Sequence, residues 1–276
     1  MGTSSSYGGP GKGGSLLPPW APEVVASESV APASEESQPA APEALEPSMT
    51  WGGAKGLLTR FGSAGGAGSD AGRTYLRAAV AGYVGAQGGA AAASRAARAG
   101  RHSAQALGGF LRFLTTQGAD QALEQLGLSQ YVGATATSLL GALVDSLSAK
   151  DHGLEENVAR SAMTKTLNAL FEEHGVADDG LAALGMLSAE DVRLVIEEYV
   201  AQYIEERLIQ VMGDGLQALP MDELVLRESE VWDYVRNTVH LDLKSVDVQK
   251  LDWAGPQAAA LVERIFTEAH RLLAIA

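Results

Sequence analysis

The chain has 276 residues, 32 glycines, no cysteine and a formal net charge of −14. The lack of thiols excludes disulfides, thiolate zinc sites and a cysteine nucleophile, and points to a reducing, cytoplasmic setting. The acid excess argues against broad nucleic-acid coating, which depends on lysine and arginine, so no direct sequence-specific nucleic-acid binding is expected.

Charge divides the chain into three segments. Residues 1–70 carry 3 basic and 7 acidic side chains, residues 71–112 six arginines and no acid, and residues 113–276 carry 11 basic and 27 acidic side chains. The expected organisation is a flexible tail with an acidic Pro/Ala linker over 1–70, an Arg/Gly/Ala-rich helical segment over 71–115, and an acidic all-helical body over 116–276. No export is implied, because the first apolar pair, Leu16–Leu17, runs straight into Pro18–Pro19.

Eight of the ten prolines precede residue 48. At that density the backbone lacks donors for helix or sheet, and the stretch to Pro47 reads as a coil spanning about 40 Å. Its start, MGTSSSYGGPGKGG, has little side-chain bulk apart from Tyr7 and suits threading through a narrow channel. Gly9, Gly11 and Gly14 formally fit a dinucleotide fingerprint, but no strand precedes them and no amphipathic helix follows. The Walker pattern fails because Ser6 and Gly13 stand where glycine and Ser/Thr are required. The opening Met-Gly-Thr-Ser-Ser-Ser also fits an N-myristoylation pattern, a short one with many false matches.

Residues 78–94 are uncharged between Arg77 and Arg95, but their alanine, glycine and Gln87 content is too weakly apolar for a membrane span. The expectation is a glycine-interrupted helix or helix pair docked on other elements. Arg95, Arg98 and Arg101 form a candidate basic strip, which either pairs with the acidic body or binds a phosphate or a partner.

Helices then follow one another. Leu107, Phe110, Leu111 and Leu114 make one stripe, and Leu139, Leu140, Leu143, Val144 and Leu147 another. A long helix is predicted from Leu154 to Glu173 and a last one from Gln257 to Leu273. The best-defined helix starts at Ser188, with Asp191 completing a capping box and Leu187 against Val192 as a staple. It is predicted to bury Val192, Ile196, Tyr199, Val200, Tyr203, Ile204 and Val211, to turn Glu197, Glu198 and Glu205 outward, and to end at Gly213 and Gly215. Residues 239–253 alternate briefly and read as an extended connection or a small hairpin. The fold class is all-α, with the Gly/Pro/Ala/Ser-rich tail ahead of the helical body.

No catalytic constellation emerges. None of the five histidines follows a glutamate at the spacing of a carboxylate–metal motif, and no metal or cofactor is called for. His152 near Glu155 and Glu156 reads as a solvated helix start capped by Asp151. Gly-x-Ser-x-Gly and His-Glu-x-x-His are absent.

The tail MGTSSSYGGPGKGG with LLPPW after it, the segment ending LGGFLRF, and SAEDVRLVIEEYVAQYIEERLIQVMG together resemble the QatB family, a subunit of the four-component Qat anti-phage systems of bacteria. The resemblance covers the first 20 residues and most of 72–240, and is carried most specifically by the tail. It implies a QueC-like enzyme, a P-loop ATPase and a TatD-like nuclease as partners. QueC-like enzymes activate a 7-deazaguanine carboxylate with ATP for attack by an amine. The resemblance therefore makes Gly2 a candidate acceptor: its α-amine, with a pKa of about 7.7–8.0 against about 10.4 for lysine, keeps a neutral fraction at neutral pH. Thr3, Ser4, Ser5, Ser6, Tyr7, Gly8, Gly9, Pro10, Gly11, Gly13 and Gly14 would be the stretch that enzyme grips. A purely structural adaptor and a membrane-active effector using residues 78–94 are the competing readings.

Overall fold

The computed structural model describes residues 50–150, 153–241, 243 and 246–276. The described residues contain eleven α-helices joined by turns and 3-10 segments, with no strand: α1 Trp51–Ser63, α2 Asp70–Ala86, α3 Ala90–Ala96, α4 Arg98–Gln117, α5 Ala119–Gln125, α6 Ala136–Leu147, α7 Leu154–Glu173, α8 Val176–Asp179, α9 Ala189–Met212, α10 Met221–Thr238 and α11 Pro256–Ile275. The all-α expectation holds there, while the flexible tail expected up to residue 49 falls outside the described residues. So do Asp151 and His152.

The helical unit begins earlier than the charge boundary at residue 70 suggested. Thr50 caps α1 by accepting from the Gly53 amide at 3.2 Å, and Ala54, Leu58 and Phe61 are fully buried at helical spacing. Left-handed Gly65 and Gly66 then reverse the chain, so that α1 packs along α2. Gly88 and Gly89, both at positive φ, separate α2 from α3. The uncharged run 78–94 is thus a glycine-broken helix pair lying on α11, with α2 also against α1. No described helix is long and apolar enough to cross a membrane.

The two predicted stripes are core. Leu107, Phe110, Leu111 and Leu114 of α4 are buried, as are Leu139, Leu143, Val144 and Leu147 of α6, with Leu140 half-buried. Helix α4 brings its glycines against large rings: Gly100 faces Tyr203, and Gly108 faces Trp253. Residues 239–253 contain no strand where described. Turns there place Trp253, whose Nε1 donates to the Val248 carbonyl at 3.0 Å.

Helix α9 is the hub, packing against α4, α7, α10 and α11. Its predicted start is present: the Ser188 hydroxyl accepts from the Asp191 amide at 3.2 Å and the Asp191 carboxylate accepts from the Ser188 amide at 2.7 Å. These bonds hold the Asp191 carboxyl below its usual range. Removing the cap with Ser188→Ala should cost about 1 kcal/mol, read as a lower urea midpoint at unchanged slope.

The one-sided pattern expected of α9 is corrected. Seven consecutive residues, Tyr199 to Glu205, are buried, because α7 and α10 pack on α9 in addition to α4 and α11. Glu205 therefore points inward rather than to solvent, Glu197 and Glu198 are half-buried, and Val211 is only half-buried.

Candidate functional site

The Arg/Gly/Ala segment meets the body where α3 ends. At Ala97 the backbone leaves the helical region, with φ −83° and ψ 47°, and α4 restarts at Arg98. The junction is held from outside. Arg207 of α9 donates through Nη1 to the Ala96 carbonyl at 2.9 Å, and Glu155, in the first turn of α7, accepts from the Ala99 amide at 3.3 Å.

The same Glu155 oxygen accepts from the Tyr203 hydroxyl at 2.7 Å and from Arg207 at 3.0 Å, and Arg207 reaches the Tyr203 oxygen at 2.9 Å. Tyr203 is wedged by the Phe266 ring at 5.5 Å and by Gly100, where a Cβ would stand 2.6 Å from its ring. Burial pushes the Tyr203 phenol well above its usual range, so the hydroxyl remains a donor. With one carboxylate oxygen shared among three donors, Glu155 ties α7 to α4 and α9, and Arg207 extends the clamp to the end of α3.

The Arg207 charge is also felt at the end of α2. Tyr83, fully buried at the end of α2 and pushed up to about 12 by burial, feels the Arg207 charge as an opposing influence. Its ring meets Trp51 edge-on at 6.0 Å.

The three arginines of the predicted strip are brought to that junction but not onto one helix. Arg95 is exposed in the last turn of α3 and Arg98 is exposed at the start of α4. Arg101 is half-buried and pairs with Glu263 at 3.2 Å. Among the described residues neither Arg95 nor Arg98 forms an ion pair within 4 Å of an acid. Gly2 and the stretch Thr3 to Gly14 lie outside the described residues.

Sequence reasoning missed the clamp. It took Glu155 as a dipole-favouring glutamate and Tyr203 as a core residue, and it passed over Arg207. The available signal was the i, i+4 spacing of Tyr203 and Arg207, which puts a hydroxyl and a guanidinium on one helical face. Among the described residues no three His, Asp or Glu side chains gather closely enough to hold a metal ion.

Among the described residues, fold and site define an all-α protein in which a polar clamp of Glu155, Tyr203 and Arg207 ties α7 and α9 to the α3–α4 junction. The chain belongs to the QatB family: the sequence model of QatB, the Qat anti-phage system associated protein, matches residues 88–273, making it a component of that system. The match spans the clamp, the arginine junction and the last helix, where the resemblance was slight, and leaves out residues 1–87 with the tail. No curated protein and no solved structure matches the chain.

Proposed function

We propose that this chain is a non-catalytic, cytoplasmic subunit of the Qat defence complex whose N-terminal glycine tail is bound, and conjugated at Gly2, by a QueC-like partner. The observation that carries the reading is the sequence of the tail. Once Met1 is removed, Gly2 presents a primary amine without a side chain, and the residues to Gly14 add little bulk except Tyr7. The partner would adenylate a 7-deazaguanine carboxylate, expelling pyrophosphate. The neutral Gly2 amine would then attack the acyl carbon, AMP would leave with the bonding pair, and the amine proton would pass to solvent, leaving an amide. The neutral fraction of an α-amine near pH 7 makes it a better nucleophile than a solvent-exposed lysine.

The intact mass after co-expression with the genomic neighbours tests this. The expected result is a Met-less chain carrying a deazaguanine-sized adduct that fragmentation places on Gly2, and that disappears when the QueC-like neighbour is left out. An unmodified terminus in both preparations sinks the conjugation.

A second reading draws on the extent of the family match, which falls on the helices and not on the tail. In it the body is an adaptor bridging the P-loop ATPase and the TatD-like nuclease. Deleting residues 2–14 then leaves assembly and phage protection unchanged, whereas the tail reading expects protection to be lost.

A further inference from the structure

Away from the clamp, the start of α10 presents side chains that the fold does not use. The buried residues of this helix, Arg227, Val231 and Val235, lie from its second turn onward. Ahead of them Leu224 is half-buried, while Met221, Asp222, Glu223, Val225 and Leu226 are exposed. Three of those five are large and apolar: Met221 is 73% exposed, Val225 58% and Leu226 50%. Met221 and Val225 share a face at i, i+4 spacing, and Leu226 stands in the same relation to Asp222. A single exposed apolar residue is ordinary, but three within six residues of one helix make a patch of the kind that marks an interaction surface.

The charge around the patch selects what covers it. Both cations of α10 are taken within the chain: Arg227 pairs with Glu230 at 2.9 Å and Arg236 with Glu198 of α9 at 3.2 Å. Asp222, Glu223, Glu228 and Asp233 are left with no ion pair among the described residues. An apolar patch with this unneutralised acidic border disfavours a second copy of the chain, which would set acid against acid, and disfavours anionic lipid and nucleic acid for the same reason. It attracts an apolar surface bordered by lysine or arginine.

We infer that the first two turns of α10 dock a basic amphipathic helix of another subunit of the complex. Met221, Val225 and Leu226 form a ridge at helical spacing, and the complement of such a ridge is the groove between the side chains of a second helix. The apolar stripe of that helix covers the three side chains, and the cations beside the stripe pair with Asp222, Glu223 and Glu228. The inference goes beyond the tail reading: it rests on membership of the complex and does not use Gly2.

The test is photo-crosslinking of the co-expressed complex with benzoylphenylalanine in place of Val225, the product being mapped by mass spectrometry. A control carries the same group in place of Glu124, exposed on α5. Expected is a link from position 225, and not from 124, to a partner segment with apolar residues at helical spacing and lysine or arginine beside them. Val225→Asp and the pair Asp222→Lys with Glu223→Lys, all at exposed positions, should each weaken that subunit's binding about tenfold or more. Glu124→Lys should leave it unchanged. Reversing the linked partner cation to glutamate should restore binding to the charge-reversed pair. A link to a second copy of this chain, a link to a segment without cations, no link above the control, or an equal loss in Glu124→Lys would overturn the assignment. The links are read equally on a chain lacking residues 2–14, so their failure is distinct from an unmodified Gly2.

Discussion

Gly108→Ala is expected to lower stability by about 2–3 kcal/mol, a large effect for one methyl group. A Cβ at that position would stand 2.3 Å from the Trp253 ring. The ring cannot swing aside at low cost: it is buried, its Nε1 is tied to the Val248 carbonyl, and Gln105 holds the Trp253 carbonyl. The neighbouring glycine is the control. At Gly109 a Cβ would meet only the Trp253 Cβ at 3.4 Å, so alanine there should be neutral or stabilising by up to about 1 kcal/mol through helix propensity. Urea titrations of both variants decide the matter. In a Trp253→Leu background the cost of Gly108→Ala should shrink, because the two residues interact directly. Equal costs at 108 and 109 would mean that backbone propensity, and not the ring, sets the requirement for glycine.

That contact shows what a one-dimensional reading captures and what it loses. Patterns within a few residues were legible: the Ser188–Asp191 box, the α4 stripe, and the bounds of α7, which coincide with those predicted. The Gly108–Gly109 pair was visible only as part of a motif, because its reason lies in a tryptophan 145 positions further on. The clamp was hidden for the same cause: Glu155 meets Tyr203 across 48 positions, and Arg207 meets Ala96 across 111. Helix α1 was masked by composition. Its Ala54, Leu58 and Phe61 repeat is regular, but three glycines among its first six residues made it look like linker. Glu205 was misplaced because an acid opposite an apolar stripe is read as solvent-facing, and no local signal announces the second layer that α7 and α10 lay over it.

The misplaced glutamate governs the second large effect, the pH dependence of stability. The Glu205 side chain is 5% exposed, and Lys165 lies 3.4 Å away while also pairing with Glu206. Burial pushes Glu205 up to about 7 from an ordinary 4.5, with Lys165 opposing and the Glu206 and Glu228 charges reinforcing. Between those pH values the folded chain holds a proton that the unfolded chain has released. Glu205 therefore stabilises the fold below pH 4.5, and this contribution, about 3 kcal/mol in full, is lost as pH rises through about 7. His270 acts in the opposite sense. It is 1% exposed, with Nδ1 2.7 Å from the Phe266 carbonyl oxygen, and burial pushes it down to about 4 from 6.5. Its contribution, also about 3 kcal/mol, is present above pH 6.5 and is lost as pH falls through about 4. The two slopes overlap and oppose each other between pH 4.5 and 6.5, so the wild-type urea midpoint should be nearly level there. Glu205→Gln removes one slope: the variant should gain stability with rising pH and exceed the wild type by up to about 3 kcal/mol near pH 8. His270→Gln should expose the reverse trend. A wild-type profile that climbs steadily through this window, unchanged by Glu205→Gln, would show that Glu205 is ionised in the folded protein, with the Lys165 ammonium compensating its burial.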